Sequence, residues 1–289
     1  MKKRILFPTP YPAIIKISGY LLASIIGLIS TTYASLLWKV GDVAHLGMSA
    51  LFGLAVGSLV WEKRHSFKAE SHSSAVLLGT FIILLGSILP FLFDDPALLR
   101  LMPLICAVGL ALVASGFHGV RQHWRELTIL FFLMVPKLIV EAISDVSYLT
   151  AKFSAFALWY LGFDVSLEGV HIILPKGSIQ VYEACSGLES MAYLLGLSVI
   201  CLLLFPLALR SYQIIVPLIG ITLGFVVNAL RIMLLVVLIA QDKAKAFDYW
   251  HDGDGSLVVG MVGALLLGTV YFFLLSREDM QVPESAEKI

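Results

Sequence analysis

The apolar runs of this chain constrain its fold more than any other feature. A helix that crosses the apolar core of a bilayer needs about 20 mostly apolar residues. Eight segments satisfy this condition, at about 13–37, 43–61, 75–93, 97–117, 127–147, 187–209, 212–238 and 256–275. Only 14% of the residues are charged, against about 25% in soluble domains. The sequence therefore predicts an all-α polytopic membrane protein with about eight transmembrane helices.

The chain is predicted to form a single integral membrane domain over 1–289. Its first apolar run is longer than the core of a signal peptide, which spans roughly 7–15 residues, so we interpret that run as the first transmembrane helix. Five spans then occupy 1–147, and an extracytoplasmic segment follows at 148–186. Three further spans occupy 187–275, and residues 276–289 form a cytoplasmic tail.

The distribution of basic residues predicts the orientation. Lys and Arg concentrate in the short loops on the cytoplasmic side of a membrane protein. With the N-terminus inside, ten of them flank the cytoplasmic ends of the spans and six flank the outer ends. We therefore expect a multi-pass protein of the plasma (inner) membrane with both termini in the cytoplasm. The formal net charge of zero gives no indication of a nucleic-acid partner.

The segment between the fifth and sixth spans has a different pattern. Aromatic residues near one helical face predict a short interfacial helix over Ala151–Leu161. Two β-prone runs, 169–174 and 178–182, flank Pro175-Lys176-Gly177 and predict a β-hairpin. An ordinary loop is the alternative. A hairpin here would deliver the chain to the next segment from outside the membrane.

Cys185 is the first candidate functional residue. It lies in the run Glu183-Ala184-Cys185-Ser186-Gly187-Leu188-Glu189-Ser190, just before an apolar segment. Ser186-Gly187 permits a tight turn, and a helix that starts near Leu188 points its N-terminus at the sulfur. A helix N-terminus and a nearby cation both favour the nucleophilic thiolate. Ser186 is the nearest rival nucleophile, whereas Cys106 and Cys201 lie inside apolar runs and are expected to pack there.

Arg231 is the second candidate, because an arginine in an apolar span costs about 2.5–3.5 kcal/mol at mid-bilayer. Snorkelling, or an ion pair with Glu141 or Asp145, is the structural alternative. A functional Arg231 would stabilise either the thiolate or the oxyanion of a tetrahedral intermediate, and the sequence does not separate these roles. Asn228 precedes it by three residues on the same helical face. We expect Asn228 to hold the guanidinium or to contact substrate.

His251 is the third candidate, since an imidazole can transfer protons near neutral pH. Asp252 or Asp254 is expected to orient it, and His171 on the predicted hairpin is the competing histidine. The Asp252-x-Asp254-Gly255 stretch lacks the further oxygen ligands of a calcium loop. No second His or Cys stands at zinc spacing, so we expect neither a metal nor a cofactor.

The positions of these three residues agree with one another. Cys185 precedes the sixth predicted span, and His251 precedes the eighth. Arg231 lies toward the outward end of the seventh. Whatever the absolute orientation, the three groups are therefore predicted to share one side of the membrane, and the basic residues place that side outside.

Three motifs resemble the exosortase/archaeosortase family, in this order: Glu183–Leu188, Asn228-Ala229-Leu230-Arg231-Ile232 and His251-x-x-x-Gly255. The short chain is similar to the smaller, cyanobacterial-type members. The resemblance covers about 150–275. It implies a Cys–Arg–His transpeptidase with Cys185 as nucleophile, Arg231 as stabilising cation and His251 as acid and base. The supporting or substrate-binding positions would be Glu183, Ser186, Gly187, Asn228, Asp252 and Gly255.

The same resemblance implies the partners. Substrates would be membrane-anchored proteins whose C-terminal sorting signal combines a motif such as Pro-Glu-Pro, a transmembrane helix and a basic tail. The acceptor, a lipid or an exopolysaccharide, is not identified by the sequence. Two alternatives belong to other classes of protein: a transporter that binds an anion through Arg231, and a non-enzymatic subunit of an envelope assembly pathway.

Overall fold

The structure, a computed structural model, consists of ten helices and five short strands over the residues it describes, which are 14–16, 18–64, 70–93, 95–143, 145–251 and 253–281. The helices are α1 Gly19–Val40, α2 Val43–Glu62, α3 Ser73–Leu92, α4 Pro96–Gln122, α5 Trp124–Ile143, α6 Ser147–Tyr160, α7 Leu188–Leu204, α8 Tyr212–Ala240, α9 Ala244–His251 and α10 Asp254–Gln281. The strands are β1 Ile14–Lys16, β2 Glu70–His72, β3 Ser166–Glu168, β4 His171–Leu174 and β5 Gly177–Gln180.

Most of the predicted spans coincide with helices of sufficient length and apolarity. Among the described residues, six helices could cross a membrane: α1, α2, α3, α4, α8 and α10. The chain is therefore an all-α, multi-pass membrane protein, as predicted. The fifth predicted span coincides with α5, although the side chains of 134–143 lie outside the description.

The sixth span is shorter than its predicted range of 187–209. Helix α7 contains 17 residues, or about 25 Å at 1.5 Å per residue, against an apolar core of roughly 30 Å. Its end has a local cause. Phe205 precedes Pro206 and has left the helical region, with φ −128° and ψ 73°, because the proline ring disfavours helical backbone in the preceding residue.

Several other boundaries differ from the predictions. Helix α1 begins at Gly19 rather than at residue 13, and Ile14–Lys16 form β1, which pairs with β2. Helix α4 continues to Gln122, through a kink in which Gly116 has φ 63°. Helix α10 extends into the predicted tail as far as Gln281. Residues 282–289 of that tail lie outside the described residues.

The segment before Cys185 is more ordered than the sequence indicates. Helix α6 begins at Ser147, four residues before the predicted interfacial helix. The predicted hairpin is present as β4 and β5, and β3 adds a third antiparallel strand in the order β3-β4-β5. An ordinary loop is thereby excluded. Helix α9 is a further element that the sequence analysis did not predict.

The chain divides into two compact units, one within Met1–Leu46 and Val56–Leu130, the other within Gly47–Ala55 and Phe131–Ile289. The prediction of a single integral domain stays a prediction. In the first unit, α3 and α4 approach so closely that a Cβ on Gly79 would lie 2.6 Å from the carbonyl oxygen of Gly109. Cys106 is buried in this unit, as expected.

The second unit contains all the candidate site residues of the sequence analysis. Helices α7 and α8 pack closely, since a Cβ on Gly224 would lie 2.6 Å from the Cα of Met191. A buried apolar cluster joins α6, the β4 and β5 strands, the Cys185 turn and the second half of α8. This cluster is the framework on which the candidate site is built.

Candidate active site

Cys185 ends a single 3-10 turn, Glu183–Cys185, immediately before α7. The backbone N–H of Cys185 donates to the Tyr182 carbonyl at 2.8 Å, and that of Ser186 donates to the Glu183 carbonyl at 3.1 Å. Gly187 then adopts a left-handed conformation with φ 94° and caps α7. The predicted tight turn before a helix is therefore present, and it places the sulfur at the start of α7.

Gly187 is required by space as well as by conformation. A Cβ at this position would lie 2.7 Å from Nδ2 of Asn228 and 3.0 Å from its Cβ. Residues other than glycine also lose energy in the left-handed region, about 1–2 kcal/mol. The sequence indicated a turn at Gly187, but the close approach of α8 is visible only in the structure.

The side chain of Ser186 closes the turn. It is fully buried, and its hydroxyl donates to the Glu183 carbonyl at 2.6 Å while lying 3.4 Å from the N–H of Leu188. A hydroxyl committed in this way is poorly placed to attack a substrate, which favours Cys185 over Ser186 as nucleophile. The Glu183 side chain is exposed, and the site uses its carbonyl.

Two side chains from different helices hold the carbonyls of Cys185 and of the residue that follows it. Asn228 Nδ2 donates to the Cys185 carbonyl at 3.0 Å, and Thr150 Oγ1 donates to the Ser186 carbonyl at 2.7 Å. The structure thus gives Asn228 a supporting contact with the Cys185 turn, and the expectation that it holds the Arg231 guanidinium or contacts substrate stays a prediction. Asn228 is only 2% exposed, and its amide fixes the Cys185 turn.

Sequence reasoning missed Thr150, although a signal was present. Ser147, Thr150 and Ser154 recur at helical spacing along α6, and all three are buried. A stripe of small polar side chains on an otherwise aromatic helix indicates a face that packs against protein. Ser154 Oγ donates to the Ala229 carbonyl at 3.2 Å, so the same stripe also attaches α6 to α8.

His251 is the last residue of α9 and lies beside the thiol. Its Nε2 is 3.5 Å from Sγ of Cys185, although the two residues are 66 positions apart in the chain. The Phe247 ring, one turn earlier, stacks on the imidazole with a centroid distance of 5.0 Å and an interplanar angle of 13°. The competing His171 lies on β4 opposite Gln180, with an exposed side chain.

Asp252 or Asp254 was predicted to orient His251, and that role stays a prediction. Asp252 lies outside the described residues, and Asp254 is an exposed residue at the start of α10. Gly255 has a steric role in the same connection, because a Cβ there would lie 2.8 Å from Cε3 of Trp250. It allows α9 and α10 to meet closely beside His251.

Arg231 contacts the end of α9. Its Nε donates to the Trp250 carbonyl at 3.1 Å, and its Nη2 donates to the His251 carbonyl. The last carbonyls of a helix have no partner within the helix, and a positive charge is favourable at that negative end. The Asp145 carboxylate, an alternative partner from the sequence, accepts from the N–H of Ser147 at 2.8 Å. The Glu141 side chain lies outside the description.

Helix α8 therefore acts as the common support of the site. Asn228 and Arg231 are three residues apart and share one face of this helix. One holds the carbonyl of Cys185, and the other holds the carbonyl of His251. A rigid helix thus sets the separation of the thiol and the imidazole.

The arrangement suits nucleophilic chemistry at sulfur. A thiol and an imidazole nitrogen in contact can exchange a proton, and the helix N-terminus behind the sulfur favours the thiolate. Cys185 is only 5% exposed, so its side chain is shielded from bulk water, whereas His251 is half-buried. Within the described residues, no group of three or more His, Cys, Asp and Glu side chains could hold a metal ion.

Comparisons with known proteins identify the family of the chain. A family model described as a transmembrane exosortase (Exosortase_EpsH) matches residues 24–268. The matched stretch contains all three motifs, including Cys185, Arg231 and His251. No curated protein and no solved structure matches the chain.

Proposed function

Because the chain belongs to the transmembrane exosortase family, we propose that Cys185, His251 and Arg231 form the active site of a membrane cysteine transpeptidase. Membership of this family supports a role of the sorting transpeptidase type, with protein substrates in a membrane context. The observation that carries the residue assignment is the 3.5 Å contact between Cys185 Sγ and His251 Nε2. It joins two distant segments through an apolar framework, and packing alone would not require a proton acceptor beside a thiol.

In the first half of the proposed reaction, His251 takes the thiol proton and Cys185 attacks the scissile carbonyl. A carbon–sulfur bond forms, and the carbonyl oxygen becomes an oxyanion. The carbon–nitrogen bond then breaks, and the imidazolium gives its proton to the leaving amine. The products are a thioester on Cys185 and the released C-terminal anchor of the substrate.

In the second half, an acceptor bearing an N–H or O–H group attacks the thioester. His251 removes the proton of the acceptor as the new bond forms, and the thiolate leaves. The result is a substrate protein transferred from its membrane anchor to the acceptor, a lipid or a polysaccharide. With water as the acceptor, the same steps make the enzyme a protease.

Arg231 is proposed to act mainly by holding α9. Two of its donors are bonded to the Trp250 and His251 carbonyls, so the guanidinium fixes the backbone that carries the imidazole. In this proposal the third guanidinium nitrogen, Nη1, stabilises the oxyanion. This division of roles combines positioning with the electrostatic stabilisation that the resemblance implies.

The proposed substrates carry a C-terminal signal made of a short motif, a transmembrane helix and a basic tail. In this proposal the substrate helix lies among the spans and presents its motif to Cys185 at the extracytoplasmic boundary. The exposed aromatic side chains of α6, Phe156, Trp159 and Tyr160, support this placement, because such residues are enriched at membrane–water interfaces.

The direct test co-expresses the protein with a tagged protein from the same genome that ends in such a signal. Cys185→Ala should abolish release of the anchor, and mass spectrometry of the wild type should detect an acyl-thioester on the peptide that contains Cys185. Cys201→Ala is the matched control, since Cys201 is a partly buried thiol of α7 outside the proposed site. Normal processing by Cys185→Ala would refute the proposal.

The two alternatives make different demands on the same residues. An anion transporter needs the donors of Arg231 for its ligand, but two of them hold α9. An assembly subunit needs no thiol, so its function would survive Cys185→Ala. Uptake assays with Arg231→Gln and processing assays with Cys185→Ala separate both from the transpeptidase.

A further inference from the structure

The stacking of Phe247 on His251 gives the site a second means of orienting the imidazole. The two rings belong to one helix, four residues apart, and are nearly parallel at 13°. Phe247 is half-buried and packs against the apolar cluster that includes Cys185. The ring is thus anchored to the same framework as the nucleophile.

Burial alone does not hold α9 in place. None of its eight residues is buried, in contrast to α6 and α8 on either side of the site. Arg231 fixes the backbone at the end of α9. A hydrogen bond to the backbone does not itself set the plane of the imidazole, because the torsion that rotates a histidine ring has a broad energy profile.

The direction of that rotation matters for a proton transfer. Nε2 lies 3.5 Å from Cys185 Sγ, and rotation of the ring about its attachment bond would carry the nitrogen away from the sulfur. An aromatic surface lying flat against one face of the imidazole opposes this rotation. Aromatic pairs of this kind add an attraction beyond the area they bury.

We propose that Phe247 is a positioning residue, whose ring holds the imidazole of His251 in the plane where Nε2 faces the Cys185 sulfur. The inference rests on the proposed function, because it assigns Phe247 a role through the Cys185–His251 pair. It adds a residue that neither the motifs nor the family match singles out. Phe247 itself touches no reacting atom in this proposal.

The test measures the rate at which iodoacetamide alkylates Cys185 in the purified full-length protein, resolved by mass spectrometry of the peptide. This reaction needs no substrate and reports the availability of the thiolate. The variants are Phe247→Leu, which keeps apolar bulk but removes the ring, and Phe247→Tyr, which keeps the ring. His251→Ala and the double variant complete a cycle, and thermal unfolding of each sample verifies folding.

We expect Phe247→Leu to slow alkylation by about two- to tenfold, the range that an aromatic pair supports. Phe247→Tyr should react at nearly the wild-type rate. His251→Ala should be slower than Phe247→Leu. Adding Phe247→Leu to His251→Ala should change nothing further, because the ring then has no imidazole to hold.

Three results would overturn the inference. Phe247→Leu could react at the wild-type rate, or faster, in which case the ring only covers the thiol. Alternatively, it could slow alkylation by the same factor with and without His251, as a merely structural residue would. A wild-type rate for His251→Ala would instead remove the proposed pair itself, so failure of the proposed function is distinguishable from failure of the role of Phe247.

Discussion

Replacement of Arg231 by methionine tests how the site is held together. The substitution keeps an unbranched side chain in an apolar helix but removes the donors to the Trp250 and His251 carbonyls. Hydrogen bonds to a charged group contribute about 1.5–3 kcal/mol each. If the two contributions add, losing both bonds costs about 3–6 kcal/mol, which corresponds to a factor of about 150 or more in the population of the held conformation.

The same alkylation assay sets an upper limit on the effect. An unassisted cysteine has a pKa of about 8.5 and is about 3% ionised at pH 7. For a thiol with this ordinary pKa, complete loss of assistance from His251 would slow alkylation by about 30-fold. Because the lost hydrogen bonds are sufficient to release α9, we expect Arg231→Met to approach this 30-fold decrease. Arg231→Lys retains the positive charge and a donor group, so its alkylation rate should fall less.

The assay also separates the possible roles of Arg231. Iodoacetamide reacts at a saturated carbon and forms no oxyanion. If Arg231 acted only on the oxyanion, Arg231→Met would therefore be alkylated at the wild-type rate but would fail to process a substrate. If Arg231 paired directly with the thiolate, Arg231→Met would slow alkylation further in a His251→Ala background. If Arg231 acts by holding α9, Arg231→Met should have a large effect in the wild-type background and none after His251 is removed.

Two further predictions concern single residues and their partners. Gly187→Ala should lower the melting temperature, because the backbone at φ 94° alone costs about 1–2 kcal/mol and the added Cβ meets Asn228. In thermal unfolding, the double variant Gly187→Ala with Asn228→Ala should be more stable than the sum of the two single effects predicts. Simple additivity of the two effects would contradict the clash. Glu126 lies in the first turn of α5. Burial raises its pKa, but hydrogen bonds from His123 and Lys63 outweigh burial and lower the pKa from 4.5 to about 2. A depressed carboxyl pKa stabilises the fold above about pH 4.5, and this stabilisation disappears as the pH falls toward 2. The melting temperature of the wild type should therefore drop more between pH 5 and pH 3 than that of Glu126→Gln, and equal drops would refute the assignment.

Much of the fold follows from local properties of the sequence. The spans are predictable because crossing a bilayer depends on the length and apolarity of one segment at a time. The ends of the spans are less predictable. Phe205 ends α7 because of the proline that follows it, which is a local cause, whereas β1 depends on pairing with β2 more than 50 positions away.

The residues of the site could be named, but their partners could not. Cys185, Arg231 and His251 stand out because each is chemically unusual at a span boundary. Asn228 was expected to hold the guanidinium or to contact substrate, and its hydrogen bond to the Cys185 carbonyl was not predicted. Thr150 was not selected at all, although it donates to the neighbouring carbonyl.

From the amino-acid sequence alone one can infer a multi-pass helical membrane protein with a thiol, a guanidinium and an imidazole at comparable boundaries of its spans. The folded structure is needed to show that the imidazole contacts the sulfur, that the guanidinium caps α9, and that Phe247 stacks on His251. The physical reason is the range of the interactions. Hydropathy is summed over one continuous segment, whereas a hydrogen bond between residues 20 to 66 positions apart depends on how several helices pack.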